Sequence, residues 1–340
     1  MQTSINLNDQ KFEAPSGSPM IQRLWNTAPF LTVISGAHII MTLVLLALLP
    51  FDSRTILNEA VWIKPIKFTL STVIYTATIA WLLSYITHRP WIKRIVAGST
   101  GILLASEIGI VIYQAGRGVR SHYNITTPFD EVLWGMMGTM IMLLWVTNFV
   151  LLLLLLFQKL PSRAFKWSLV SGLIIAIVGG LVAFPMTSQT TAAQQEVFDN
   201  GGRPDAVGAH TIGAEDGGPG LPFVGWSTTH GDLRPAHFVG LHGLQMLPLL
   251  GFWINRRWRH LGEACRTGLV LIGAAGYLAF IYALFQQAMR GYSIISFDLQ
   301  TMSILGVASL ITCAAWMMTV WSGNKVSIYQ TQRLETKLRS

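Results

Sequence analysis

The sequence predicts an all-α, polytopic membrane protein of eight transmembrane helices, arranged as two tandem, parallel four-helix repeats. Three observations predict it. About half of the residues are apolar and 12% are charged, against roughly a quarter charged in soluble domains. Eight apolar stretches are each long enough to cross a hydrocarbon core, which takes about 20 helical residues. The same landmarks also occur twice, in the same order, in the two halves of the chain.

The spans are predicted at 29–50, 67–87, 95–115, 133–157, 166–186, 237–254, 267–288 and 299–321. Pro50, Trp91, Pro161, Pro185, Pro235 and Trp321 bracket several of them, as suits helix ends and interfacial belts. The first stretch follows a polar tail and lacks a small-residue cleavage site, so it reads as a retained helix and not a signal peptide. The organisation is then a tail at 1–28, a first repeat at 29–157, a second at 158–321 and a tail at 322–340.

Charge sorts by loop. The two tails and the loops 88–94, 158–166 and 255–266 hold 16 of the 24 basic residues and only 4 carboxylates. The alternate loops hold the other 8 basic residues and 11 carboxylates. The positive-inside rule therefore puts both termini in the cytoplasm, with a cell (plasma or inner) membrane as the location. A net charge of +8 would point to nucleic acid in a soluble protein; sorted in this way, it points to the bilayer and no nucleic-acid partner.

The landmarks of the repeat are specific. Val33-Ile34-Ser35-Gly36 matches Leu169-Val170-Ser171-Gly172, and Lys64-Pro65-Ile66-Lys67-Phe68 matches Arg234-Pro235-Ala236-His237-Phe238. Gln114-Ala115-Gly116-Arg117-Gly118 matches Gln287-Ala288-Met289-Arg290-Gly291, and Phe129-Asp130 matches Phe297-Asp298. An even number of helices per repeat relates the halves by an axis along the membrane normal. The loop at 187–236 has no long counterpart. Its turn pairs are interleaved with Phe198, Leu221, Phe223, Val224 and Trp226, so it reads as a folded cap over the outer face.

These motifs carry the chemistry. Lys64 with Lys67, and Arg234 with His237, are three residues apart at inward-running helix N-termini, the setting of an anion site. Arg117 and Arg290 lie at the same membrane level. Together, these six residues are the candidate binding groups for an anionic or amphiphilic small molecule. The competing reading of the two arginines is structural: their glycine neighbours resemble helix C-caps, and Asp130 and Asp298 could pair with them.

Glu107 is the one carboxylate inside any predicted span, and an ionisable group there is a functional hypothesis by default. Its candidate catalytic companions are His242, His122 and Asp232. Histidines 122, 210, 230, 237 and 242 fall on the outer side, where they could transfer protons or bind a divalent metal. Eight helices in two fours is similar to the architecture of the haem A synthases, which implies haem as a cofactor to test. Those enzymes carry paired histidines in both halves, whereas here the helix histidines His38 and His242 are unmatched. Gly225-Trp226-Ser227-Thr228-Thr229 lacks the second glycine of a nucleophile elbow. Asp216-Gly217-Gly218-Pro219-Gly220 lacks the Lys-Ser/Thr of a phosphate loop. Cys265 and Cys313 are placed for neither a disulfide nor a metal cluster.

Two expectations follow: an outer-leaflet enzyme using Glu/His acid–base or metal chemistry, or a proton-coupled carrier of a small anion. A structural or sensory role is a third. The orientation is testable directly: a cysteine at Ser188 or Thr228 should react with an impermeant maleimide in intact cells, and labelling only after lysis would reverse it.

Overall fold

The computed structural model of the protein describes residues 19–339, with side chains from 19 to 326. Most of the 1–28 tail, and the side chains ending the 322–340 tail, lie outside the described residues. An amphipathic helix α1 (Met20–Thr27) leads into α2 (Pro29–Leu48) and a short hairpin, β1 (Thr55–Ile56) with β2 (Glu59–Ala60). Then follow α3 (Ile63–Leu83), α4 (Pro90–Gly116), α5 (Pro128–Phe157) and α6 (Arg163–Leu181). The cap contains α7 (Ala183–Ser188), α8 (Ala192–Asp199), β3 (Thr211–Ile212) and β4 (Gly231–Asp232). The chain closes with α9 (Arg234–Arg257), α10 (Glu263–Met289) and α11 (Leu299–Arg339).

Eight of these helices are long and apolar enough to span a bilayer, α7 prolonging the fifth. Helices are the solution available to such segments, because hydrocarbon offers the backbone no hydrogen-bond partner. Their ends overrun the hydropathy boundaries. The third predicted span, 95–115, becomes Pro90–Gly116, and the fourth, 133–157, starts at Pro128. At Pro128 the cause is local: the Thr127 side chain caps the Asp130 amide, with Pro128, Asp130 and Glu131 filling the first turn. Polar first-turn residues stabilise a helix while lowering the hydropathy that would reveal it.

Packing differs between the halves. The α2–α3 seam is joined by hydroxyls, Ser35 to Thr76 at 2.6 Å and Thr42 to Thr69 at 2.8 Å. The α6–α9 seam, the most extensive helix pair, is made of glycines. A Cβ on Gly240 would lie 2.4 Å from the Cα of Gly179, and one on Gly172 would lie 2.8 Å from the Gly243 carbonyl oxygen. Small residues at a crossing let backbones approach closely, which is how membrane helices gain packing energy. Gly36, the sequence counterpart of Gly172, meets nothing within 4 Å.

The halves join through α5 and α6, where Trp145 Nε1 donates to the Ile177 carbonyl at 3.1 Å. A two-fold arrangement would set α11 against α2 in the same way, and no comparable contact exists there. Within each half the same helix pairs meet, α2–α3, α2–α4, α3–α4 and α4–α5 answering to α6–α9, α6–α10, α9–α10 and α10–α11, so the contact pattern recurs inside the halves and breaks at their junction. A large apolar core, including Ile79, Leu83, Leu151, Phe165, Leu169 and Leu173, fills the end of the bundle away from the cap. The candidate site side chains lie toward the cap end, while a second polar network of Ser162, Asn255, Glu263 and Arg266 joins the opposite end.

The cap is folded. Thr191 and Gln194 form a capping box on α8, β3 pairs with β4, and Asn124 bridges to Ala206. Asn58 of the hairpin donates to the Gly217 carbonyl at 2.7 Å, so the cap rests on the first half as well.

Gly240→Val should be among the most damaging changes outside the site. The side chain has no room at the α6–α9 crossing, and overpacking of this kind costs about 3 kcal/mol. Gly36→Ala, in open space, should be near neutral; thermal unfolding in detergent compares the two.

Candidate functional site

The cap-end motifs divide into groups that hold the fold together and groups left for chemistry. Gln-Ala-x-Arg-Gly ends α4 and α10 in the same way. Gly118 N–H donates to Ala115 and Val119 N–H to Gln114, while Gly291 donates to Ala288 and Tyr292 to Gln287. Gly118 and Gly291 take φ of +74° and +81°. These are Schellman caps, which need glycine in the left-handed region.

Each arginine then pairs with the carboxylate opening the next helix, Arg117 with Asp130 at 2.5 Å and Arg290 with Asp298 at 2.8 Å. The Arg290 guanidinium beside Asp298 holds its carboxyl down at about 2. Both arginines are therefore helix-end staples, and the structural reading of them prevails over substrate binding.

Other candidates are also occupied. Asp232 is buried, holding Arg234 at 2.6 Å and accepting the Ser227 amide at 2.7 Å. Its lone pairs serve the cap. Arg234 also donates to the Gly225 carbonyl at 2.6 Å, and Lys67 is paired with Glu59 at 2.7 Å and donates to Val224. His242 is exposed and bonds Gln245 on its own helix at 3.3 Å. His242, a candidate companion of Glu107, is therefore turned to its own helix; the cation whose field reaches Glu107 is Lys64. Equal depth does not fix the direction a helix faces: Thr72, the counterpart of His242, is buried in the α2–α3 seam.

What remains is a cluster under the cap. Lys64 bonds His122 Nδ1 at 3.2 Å and has no carboxylate within ion-pair distance among the described residues. His122 also lies 3.0 Å from the Ser121 hydroxyl and packs against Phe68, Tyr123 and Trp134. His210, whose ring is 5.0 Å from that of Tyr123, donates from Nδ1 to Asp216 at 2.6 Å. His237 donates from Nδ1 to the Gly179 carbonyl at 2.8 Å. Each of these four side chains is half-buried. Glu107 lies deeper, 3% exposed, and its Oε2 has no hydrogen-bond partner among the described residues.

The hydrogen bonds assign the tautomers. His210 and His237 give their Nδ1 protons to oxygen acceptors, which leaves a lone pair on each Nε2. His122 Nδ1 accepts from the Lys64 ammonium, which leaves a proton on its Nε2. The cluster thus presents an ammonium, one N–H donor and two imidazole bases.

Asp216 accepts from the His210 and Thr211 amides and the Thr211 hydroxyl as well. Burial opposes its charge, but His210 and these donors hold its carboxyl well below the usual carboxylate range. Burial likewise pushes His210 down despite Asp216. Burial and then the field of Lys64 push His122 well below the usual imidazole range. An imidazole oriented by a carboxylate and kept neutral is the standard layout of a general base.

The His210–Asp216 pair is what sequence reasoning missed. The signal lay in Asp216 itself, a turn aspartate six residues after a histidine, which the absence of a phosphate-loop pattern caused to be set aside.

Among the described residues, no three His, Cys, Asp or Glu side chains are grouped to hold a metal ion. His38 bonds the Ile34 carbonyl of its own helix, and His242 its own Gln245. A cleft in the cap beside Arg234 and His230 encloses about 90 Å³, room for a few waters and not for a drug-sized ligand. Comparisons with family models, curated proteins and solved structures gave no match.

The histidines set a pH dependence. A pKa lower in the folded than in the unfolded chain means that the unfolded chain binds more protons, so stability rises with pH. His122 and His210 therefore contribute fully above the ordinary imidazole pKa of about 6.5. Their contribution is lost as pH falls from there toward the folded values. The window lies above the carboxylate range in which Asp216 acts. The unfolding temperature should drop between pH 7 and pH 5, and His122→Gln should flatten that slope; an unchanged slope would exclude His122 as its source.

Proposed function

We propose that this chain is an integral membrane protein that binds the anionic end of a small amphiphile beneath its cap and performs acid–base chemistry on it. Lys64 carries the reading. Four of the other candidate cations are matched by a carboxylate in place, at Glu59, Asp130, Asp232 and Asp298. Lys64 is half-buried, bonded to an imidazole and lying over the Phe68 ring, and no carboxylate is within ion-pair distance of it among the described residues. A cation removed from water without a counter-ion is costly, and an anionic ligand relieves that cost.

In this reading His210, oriented by Asp216, is the base, and the His122 Nε2–H and the Lys64 ammonium stabilise negative charge. Glu107 exchanges a proton with the cluster from below. The cap faces the extracytoplasmic side of a cell membrane, both termini are cytoplasmic, and the halves descend from one duplicated four-helix unit. The shared C-caps and Arg–Asp staples support that descent, with packing diverging afterwards.

The alternative is a proton-coupled carrier, favoured by the unpartnered Oε2 of Glu107. Glu107→Gln separates the two, because it removes the titrating proton while keeping the shape. A carrier should lose pH-driven accumulation of its anion, whereas an enzyme should keep ligand affinity and lose turnover.

Lys64→Gln should weaken binding of dodecyl phosphate to the purified protein at least tenfold, or about 1.4 kcal/mol, by tryptophan fluorescence quenching. Lys64→Arg should largely restore it. Arg117→Gln should lower the unfolding temperature and leave affinity within a few-fold. Undiminished binding by Lys64→Gln would remove the basis of the reading.

A further inference from the structure

Lys64, Ser71 and Thr78 follow one another at intervals of seven along α3, so they lie on one stripe of the helix. At its tail-side end this stripe meets α9, where Gln245 donates from Nε2 to Thr78 Oγ1 at 3.0 Å and both residues are half-buried. Two turns toward the cap, Ser71 is exposed. Across from it His242 is exposed and Leu241 and Phe238 are only half-buried. The two helices touch at Thr78–Gln245, share few close backbone contacts along their length, and leave Ser71 and His242 uncovered above that bond.

The top of the gap is closed by the cap, where Lys67 donates to the Val224 carbonyl and Arg234 to that of Gly225. From Lys67 to Thr78, and from Arg234 to Gln245, the helix rise is about 16 Å. The opening so framed faces the bilayer, flanked by the exposed Leu70, Ile74 and Met246. Overhead, Trp226 of the cap stacks on Phe238, and the stripe that lines the opening leads up to Lys64.

We propose that the gap between α3 and α9 is a lateral portal through which a single-chain anionic amphiphile enters from the membrane, its headgroup reaching Lys64 while its chain stays between Ser71 and Leu241. The proposal rests on the reading of Lys64 as the anion site. Charge complementarity selects the headgroup, and an apolar-flanked opening below a closed roof selects a ligand delivered from lipid over one delivered from water.

The test compares hexadecyl phosphate with methyl phosphate, which shares the headgroup and has no chain to partition. Binding is followed by tryptophan fluorescence in a variant with Cys265→Ala and Cys313→Ala. Hexadecyl phosphate should bind at least a hundredfold more tightly. Adding Ser71→Cys and Leu241→Cys and bridging the pair with a short bis-methanethiosulfonate should slow its association at least tenfold, reversed by reductant, with methyl phosphate unaffected. Ser71→Trp, which needs no disulfide, should reproduce the slowing.

Equal affinity for the two phosphates, or undiminished association in both the bridged pair and Ser71→Trp, would overturn the portal and leave the Lys64 site standing. Loss of the Lys64→Gln effect would overturn the site itself. A maleimide that reaches Ser71→Cys only after a dimer is dispersed would put a second copy of the chain in the gap, and would also overturn the portal.

Discussion

The close approach of α6 and α9 is the constraint on which the cap end depends. Two backbones can meet at Gly179 and Gly240 only because neither carries a Cβ, and the contact fixes both the height and the rotation of α9. The same residue that permits the crossing also supplies the acceptor for His237: the Gly179 carbonyl takes the Nδ1 proton and so leaves the other ring nitrogen free. A packing decision in the bilayer thus sets the protonation pattern of a side chain in the polar cluster. The cap inherits its position from this seam too, since α7 extends from α6 and the cap ends at the first residue of α9.

The electrostatics of the cap end are organised by neutralisation. Arginine is suited to fixed carboxylate pairs because its planar fork is always charged and geometrically exacting. Here Arg117, Arg234 and Arg290 each hold an aspartate that starts or precedes a helix. These pairs satisfy helix ends that would otherwise expose backbone groups. Lysine, flexible and able to lose its proton when desolvated, occupies the position left without a fixed anion. The repeated motif Lys/Arg-Pro-x-Lys/His-Phe therefore has split roles. Its second copy anchors the cap through Arg234, and its first leaves Lys64 to the cluster.

Much of the fold was legible in the sequence, because a membrane span declares itself by length and apolarity and the backbone has few alternatives in hydrocarbon. The C-caps were legible for a similar reason: Gln114 to Gly118 and Gln287 to Gly291 act within one turn of the chain. The cluster was not. Lys64 and His122 are separated by a helix pair and a loop, and His210 meets Asp216 only because a short turn folds back. The facing of His242 was misjudged because a shared motif fixes the start of a helix and not its rotation. Rotation is set by the neighbours, which are hydroxyls along α2 and glycines along α6.

The cap belongs to the second half by its covalent ends and to the first by hydrogen bonds, from Asn58 to Gly217 and from Lys67 to Val224. Mechanically it is a strap across the joint between two bodies. A rocking motion that opened the cap end would have to detach that strap, and below the cap the halves are also joined by directional bonds, from Gln245 to Thr78 and from Trp145 to the Ile177 carbonyl. The halves are therefore pinned to each other both at the roof and below it, at either end of the space between α3 and α9.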